Sequence, residues 1–209
     1  MKHAIIVGYG PGVGMALGAQ LVTSGTKVTA ISRTRPNSMS DDIVWISADV
    51  GRGVEIHMAI EQAVAVHGVP DAVFFNPVAV RNARGMDVNP DDIMDDLRTT
   101  VAGALHVTQC VVPYLKTVPG SSLIFTGGIL GDIPHPMFTS VGIAKAALKN
   151  LVYSVAKELR ATGINIQLIT VVGFIKPNTA ITPELVASRL IEAAQTKTAD
   201  VESRIPADH

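Results

Sequence analysis

Short apolar runs alternate along the chain with longer stretches in which apolar side chains recur every three or four positions. The runs Ala4–Val7, Lys27–Ile31, Ile43–Ser47, Ala72–Phe75, Ser122–Phe125 and Asn165–Val171 are short, rich in β-branched residues and bounded by turn formers, which predicts strands. Helical spacing is predicted near Gly14–Ser24, Gly53–His67, Pro90–Leu115 and Ser140–Thr162. In the last of these, Val141, Ala144, Leu148, Leu151, Val155 and Leu159 mark one buried face. Ala146, Ala147 and Val152 widen it, as in a helix that packs on a partner as well as on its own core. Strands and helices in strict alternation predict an α/β fold, a doubly wound parallel sheet of six or seven strands with helices on both faces. No repeat or linker divides the chain, so a single domain over residues 1–209 is expected. Near the end, Thr182–Ala194 has the marks of a helix start, with Thr182 as N-cap, Pro183 next and Glu184 in the first turn. Asp200–Ile205 reads equally as a seventh, edge strand or as a frayed end.

Composition narrows the classes of function. Apolar residues make up 47% of the 209 and charged residues 17%, which favours a packed interior over disorder. A net charge of -1 offers no footprint for nucleic acid or an anionic membrane. No apolar run approaches the ~20 residues of a membrane span. The single cysteine, Cys110 beside Val111 and Val112, excludes an intrachain disulfide and reads as a packed thiol. The opening Lys2–Val7 segment reads as a first strand, not a signal peptide. A soluble, cytoplasmic protein without a metal site is therefore expected.

Candidate chemistry begins after the first strand, at Gly8-Tyr9-Gly10-Pro11-Gly12-Val13-Gly14. Glycines here let the backbone turn tightly and approach a pyrophosphate, whose charge the N-terminus of the following helix stabilises. The second strand ends in Ser32-Arg33-Thr34-Arg35, where an acidic residue would grip a ribose 2′-hydroxyl. A hydroxyl and a guanidinium suit a 2′-phosphate, so NADP(H) is favoured over NAD(H). The bland alternative is a loop solvated by its arginines. Asp49 and Val50 follow the third strand, Asn76 the fourth, and Lys145 opens the helix near residue 140.

In this order the set Gly8, Gly12, Gly14, Arg33, Asp49, Asn76 and Lys145 resembles the short-chain dehydrogenase/reductase family over roughly residues 3–178. The resemblance implies a Rossmann-type fold. It also implies an adenine contact from Asp49, and nicotinamide contacts from Gly173 and Ile175 in the segment Gly173–Pro177. Gly10 is an extra glycine within the turn. The family's signature is Tyr-x-x-x-Lys, yet Val141 stands four residues before Lys145. Gly128 occupies the family's serine position and Thr100 its asparagine position. Three of the four groups of the usual proton relay are thus replaced, and a valine has no proton to transfer. His135, on the loop that borders the family's substrate pocket, is the candidate substitute acid; an ordinary exposed loop histidine is its alternative. Tyr9, in the glycine turn, and Tyr153, deep in the helix, are not placed to replace the acid, and His57, His67 and His106 are read as structural.

Two kinds of function follow. One is an atypical NADP(H)-dependent oxidoreductase acting on a small molecule, with Lys145 and His135 as catalytic candidates. The other is a non-redox NADP(H)-binding protein, a sensor or inactive subunit, or a lyase or isomerase using the same pocket. Only a few residues separate Gly173–Pro177 from the last helix, so the pocket is expected to be open or completed by a partner. The resemblance implies a homodimer or homotetramer built on the helices Pro90–Leu115 and Ser140–Thr162.

Overall fold

The computed structural model describes residues 1–205; residues 206–209, included in the expected single domain, lie outside it. Seven parallel strands form one sheet: β1 (His3–Val7), β2 (Lys27–Ser32), β3 (Ile43–Ser47), β4 (Ala72–Phe75), β5 (Ser122–Gly128), β6 (Asn165–Val171) and β7 (Glu202–Ile205). Their order is β3-β2-β1-β4-β5-β6-β7. This is the doubly wound, Rossmann-type arrangement predicted from the alternation. Strand order reverses between β1 and β4, which leaves a crevice at the carboxyl ends of the strands. β1, β4 and β6 are buried along their whole length; β4 accordingly reads as a continuous apolar run, whereas β6 carries buried Asn165 and Gln167, whose amides donate to the Ala193 carbonyl.

The helices are α1 (Val13–Thr23), α2 (Gly53–His67), α3 (Pro90–Leu97), α4 (Gly103–Leu115), α5 (Thr139–Glu158) and α6 (Pro183–Gln195). On one face Ile5, Phe75, Phe125 and Leu123 meet Ile60 of α2, Val111 of α4 and Leu148 of α5. On the other, Ile6, Phe74 and Ile124 meet Leu17 of α1 and Leu190 of α6. Burial of these side chains supplies most of the driving force, each worth about 1.5–3 kcal/mol.

One helix differs from the expectation, and one alternative left open is decided. The single helix predicted over Pro90–Leu115 is divided by a π-helical turn, Arg98–Ala102. Hydrophobic spacing does not reveal such a turn, because the chain stays helical through it while the faces rotate. The tail resolves as strand rather than frayed end. β7 pairs with β6 in the register Leu168↔Glu202 to Val171↔Ile205, and Lys149 of α5 bonds Glu202 at 2.8 Å. Burial raises the Glu202 pKa, but hydrogen bonds from Lys149, Thr170 and Tyr153 outweigh it and hold the carboxyl below its ordinary value.

Candidate active site

A cleft of about 1120 Å³ runs along the carboxyl ends of the strands. Its position at the reversal of strand order follows from topology, and the residues lining it come from nearly every strand end.

The glycine turn forms its first wall. Gly8 has φ of +84°, and a Cβ there would lie 2.6 Å from the Pro77 nitrogen. A Cβ on Gly14 would lie 2.9 Å from the Gly8 carbonyl oxygen. Both positions need glycine for packing within the protein. Gly10 and Gly12 differ, since nothing stands within 4 Å of a Cβ built on either. Their bare backbone faces the cleft beside Val13, and the first turn of α1 carries no acidic residue. That leaves a cradle for an anionic group at a helix N-terminus. Tyr9 is buried, and burial raises its pKa; its ring packs on Gly18.

At the β2 end, Ser32, Arg33, Thr34 and Arg35 line the cleft. The Ser32 hydroxyl donates to the Thr34 carbonyl at 2.9 Å and accepts from the Trp45 indole at 3.0 Å. These bonds shape the turn, and Arg33 and Arg35 are the cationic side chains of this wall. Arg35 also stands 3.8 Å from Asp41, in a loose exposed pair. Asp49 accepts from the Gly51 backbone at 2.9 Å, while its own N–H donates to Glu55 at 2.8 Å. Asp49 and Val50 both line the cleft. Asn76 donates through its side chain to the Gly8 carbonyl at 3.3 Å, tying the end of β4 to the glycine turn.

The far end is built by β5, α5 and the segment after β6. Lys145 is 8% exposed, and its ammonium donates to the Thr126 carbonyl at 2.8 Å. Burial lowers its pKa to about 8. Val141 lies one turn earlier on α5 and also lines the cleft. A Cβ on Gly128 would sit 3.6 Å from the Lys145 side chain, an ordinary contact. Gly128 is therefore not required by packing. Gly173, Phe174 and Ile175 close this end, with Gly173 at φ of +144°. Around Lys145 the wall is apolar, from Ile129, Leu130, Val141, Val171 and Phe174.

The structure thus brings Gly8, Gly10, Gly12, Val13, Gly14, Ser32, Arg33, Asp49, Val50, Asn76, Lys145, Gly173 and Ile175 to one cleft. It does not place His135 among the lining residues. That side chain is exposed, its Nδ1 accepts from the Met137 backbone at 3.2 Å, and its ring packs against Phe138 at a 45° tilt. Thr100 is likewise buried away from the lining, where Thr99 stands instead. The π turn rotates this part of the helix, which the linear pattern did not disclose. Sequence reading also missed the apolar segment after β4. Val78 and Val80 line the cleft, signalled only by their hydrophobicity in an otherwise turn-like stretch.

Fold, glycine turn and lysine-bearing helix define a class, the dinucleotide-binding proteins with a doubly wound sheet. The short chain dehydrogenase profile matches residues 2–189, and the chain belongs to that family. An uncharacterized oxidoreductase of Bacillus subtilis is 26% identical over 166 residues, covering 74% of this chain. The chain spans 46% of that relative's length. A short-chain dehydrogenase from Streptomyces avermitilis shares the fold with a TM-score of 0.88 at 19% identity, over 99% of this chain and 88% of the other. An NADPH-bound short chain oxidoreductase from Pseudomonas aeruginosa, described as containing an atypical catalytic center, superposes with a TM-score of 0.83 at 17% identity. That match covers 92% of this chain and 89% of the other.

Proposed function

We propose that the protein is an NADP(H)-dependent oxidoreductase of atypical kind, acting on a small molecule with an apolar body. The observation that carries this reading is the convergence of the anion cradle, Arg33, Asp49, Asn76 and Lys145 on one cleft whose inner wall is hydrocarbon. The open backbone at Gly10 and Gly12 fits a pyrophosphate. Arg33, in a Ser-Arg-Thr-Arg turn without an acidic side chain, fits a 2′-phosphate. A bound nicotinamide cofactor supplies or takes up hydride.

The chain's own contribution is to bind and orient. Val141 and Gly128 bring neither a hydroxyl nor a carbonyl-polarising donor to the chemical end. Lys145 is the titratable side chain lining that end, among the described residues. With a pKa lowered to about 8, its ammonium gives up a proton more readily than an ordinary lysine. Acceptors that need little help from an acid, such as an activated C=C or C=N bond, suit this wall better than a plain ketone. The same loss of hydroxyls also supports the second reading, a protein that binds NADP(H) without turning it over. Association through α4 and α5 fits the apolar Leu105, Ile143 and Ala146 left exposed on those helices.

Fluorescence titration with NADPH and NADH, followed by turnover assays on ketone, enone and imine panels, separates the readings. The expected result is tighter NADPH binding and turnover of enones or imines. Saturable binding with no turnover anywhere selects the second reading; no binding of either cofactor overturns both.

A further inference from the structure

Asp96 is a buried carboxylate that the proposed chemistry does not use. It stands on α3 with 1% of its surface exposed, at a place where a buried charge needs partners. Arg81 Nε donates to its Oδ1 at 2.9 Å, and the Ser140 hydroxyl donates to its Oδ2. Arg81 also reaches Asp92 at 3.0 Å.

These three residues join different walls of the cleft. Arg81 belongs to the segment after β4, whose Val78 and Val80 line the cleft. Two residues beyond Arg81, Ala83 forms an isolated bridge with Phe138. Ser140 lies in the first turn of α5 and immediately precedes Val141, the residue on the opposite wall. α5 has no side-chain cap and no acidic residue in its first turn. Asp96 supplies from α3 the negative charge that a helix N-terminus favours. The segment after β4 has little apolar burial of its own, since Val78, Val80 and Met86 are exposed. The ion pair and the bridge are therefore what hold it against α3 and α5.

We propose that Arg81, Asp96 and Ser140 form a positioning latch that sets the separation between the Val78–Val80 wall and the Val141 wall, and so selects the hydrocarbon group admitted to the chemical end. The selective role rests on the oxidoreductase reading of the cleft; the latch itself does not. None of the three residues touches the reacting atoms. They act through Val78, Val80 and Val141.

The test uses the full chain with Arg81→Ala, Asp96→Asn and Ser140→Ala, and Arg81→Lys as the conservative variant. Amide hydrogen exchange is expected to rise about tenfold in residues 77–89 and 138–142 and to stay unchanged in β1, β2 and α1. Arg81→Lys is expected to restore part of the protection. NADPH affinity is expected to stay within about twofold, because the cradle lies on the other half of the cleft. With enones of increasing alkyl length, kcat/KM is expected to fall about tenfold to a hundredfold, with a changed order of preference. Arg189→Ala, which breaks a surface pair on α6, serves as the control without effect. Unchanged exchange in both segments, or a rise spread evenly over the molecule, overturns the latch. An unchanged chain-length preference overturns the selective role. Failure of the parent protein to bind NADPH overturns the reading of the cleft, and the selective role with it, while the exchange result still decides the latch. If Asp96→Asn does not fold, Arg81→Lys and Ser140→Ala carry the measurement.

Discussion

Gly8 and Gly128 are both glycines on the wall of one cleft, and they are glycines for different reasons. At Gly8 the backbone is left-handed and the space for a side chain is filled by Pro77. At Gly128 the backbone is extended, and a Cβ would rest at ordinary distance on the Lys145 stem. At Gly8 the turn therefore excludes a side chain by construction, whereas the chemical end tolerates one at Gly128 and lacks it. A glycine at a required position reports the fold; a glycine at a permissive position reports the chemistry.

The sharpest way to break this comparison is substitution of Gly8. Gly8→Ala combines backbone strain of about 1–3 kcal/mol with a clash against Pro77. It is expected to abolish measurable NADPH binding and lower the urea midpoint clearly. A folded Gly8→Ala protein with parental affinity would show that the turn is not a cradle. The opposite expectation holds at the other end. Gly128→Ser with Val141→Tyr should fold and raise ketone reduction by about a hundredfold or more, the scale of a restored general acid. Steady-state assays on simple ketones check it, and no gain in a folded, cofactor-binding double variant would show that wall shape rather than missing hydroxyls limits the reaction.

Lys145 sharpens the comparison through pH. Its folded pKa of about 8 lies below the 10.5 of an unburied lysine, so the unfolded chain binds more protons between those values. Stability from this group is lowest below pH 8 and rises as pH climbs toward 10.5. Lys145→Met is expected to be more stable than the parent by about 1–3 kcal/mol near pH 7, where water in the cleft keeps the gain below the full shift. The gain should vanish by about pH 10.5. Urea unfolding of both proteins across that range measures it, and a pH-independent difference would show that the lysine is not desolvated. The smallest expected effect is at Arg33. Arg33→Ser should weaken NADPH binding by about tenfold and leave NADH nearly untouched. Equal losses for both cofactors would assign Arg33 to general surface charge.

The residues that line the cleft were legible in the sequence where backbone geometry constrains residue type. The glycine turn, the strand-end Asp49 and Asn76, and Lys145 at fixed spacing from Val141 could all be read from order and spacing alone. His135 was not placed by such constraints, and its ring packs on Phe138 outside the cleft lining. Thr100 shows a second limit. A π turn leaves the hydrophobic period almost unchanged while exchanging which neighbour, Thr99 or Thr100, meets the cleft. Nor does spacing reveal Asp96, because its partners stand 15 and 44 residues away.

What the sequence by itself determined is the alternation of elements, the parallel sheet, the glycine turn and the absence of a hydroxyl at positions 128 and 141. These follow from local periodicity, from glycine's freedom at tight turns and from residue identity. Only the tertiary structure decided that residues 202–205 pair as an edge strand, that Gly128 is spatially permissive, and that a carboxylate on α3 charges the start of α5. Each of those depends on distances between segments far apart in the chain, and side-chain chemistry at one position does not encode them.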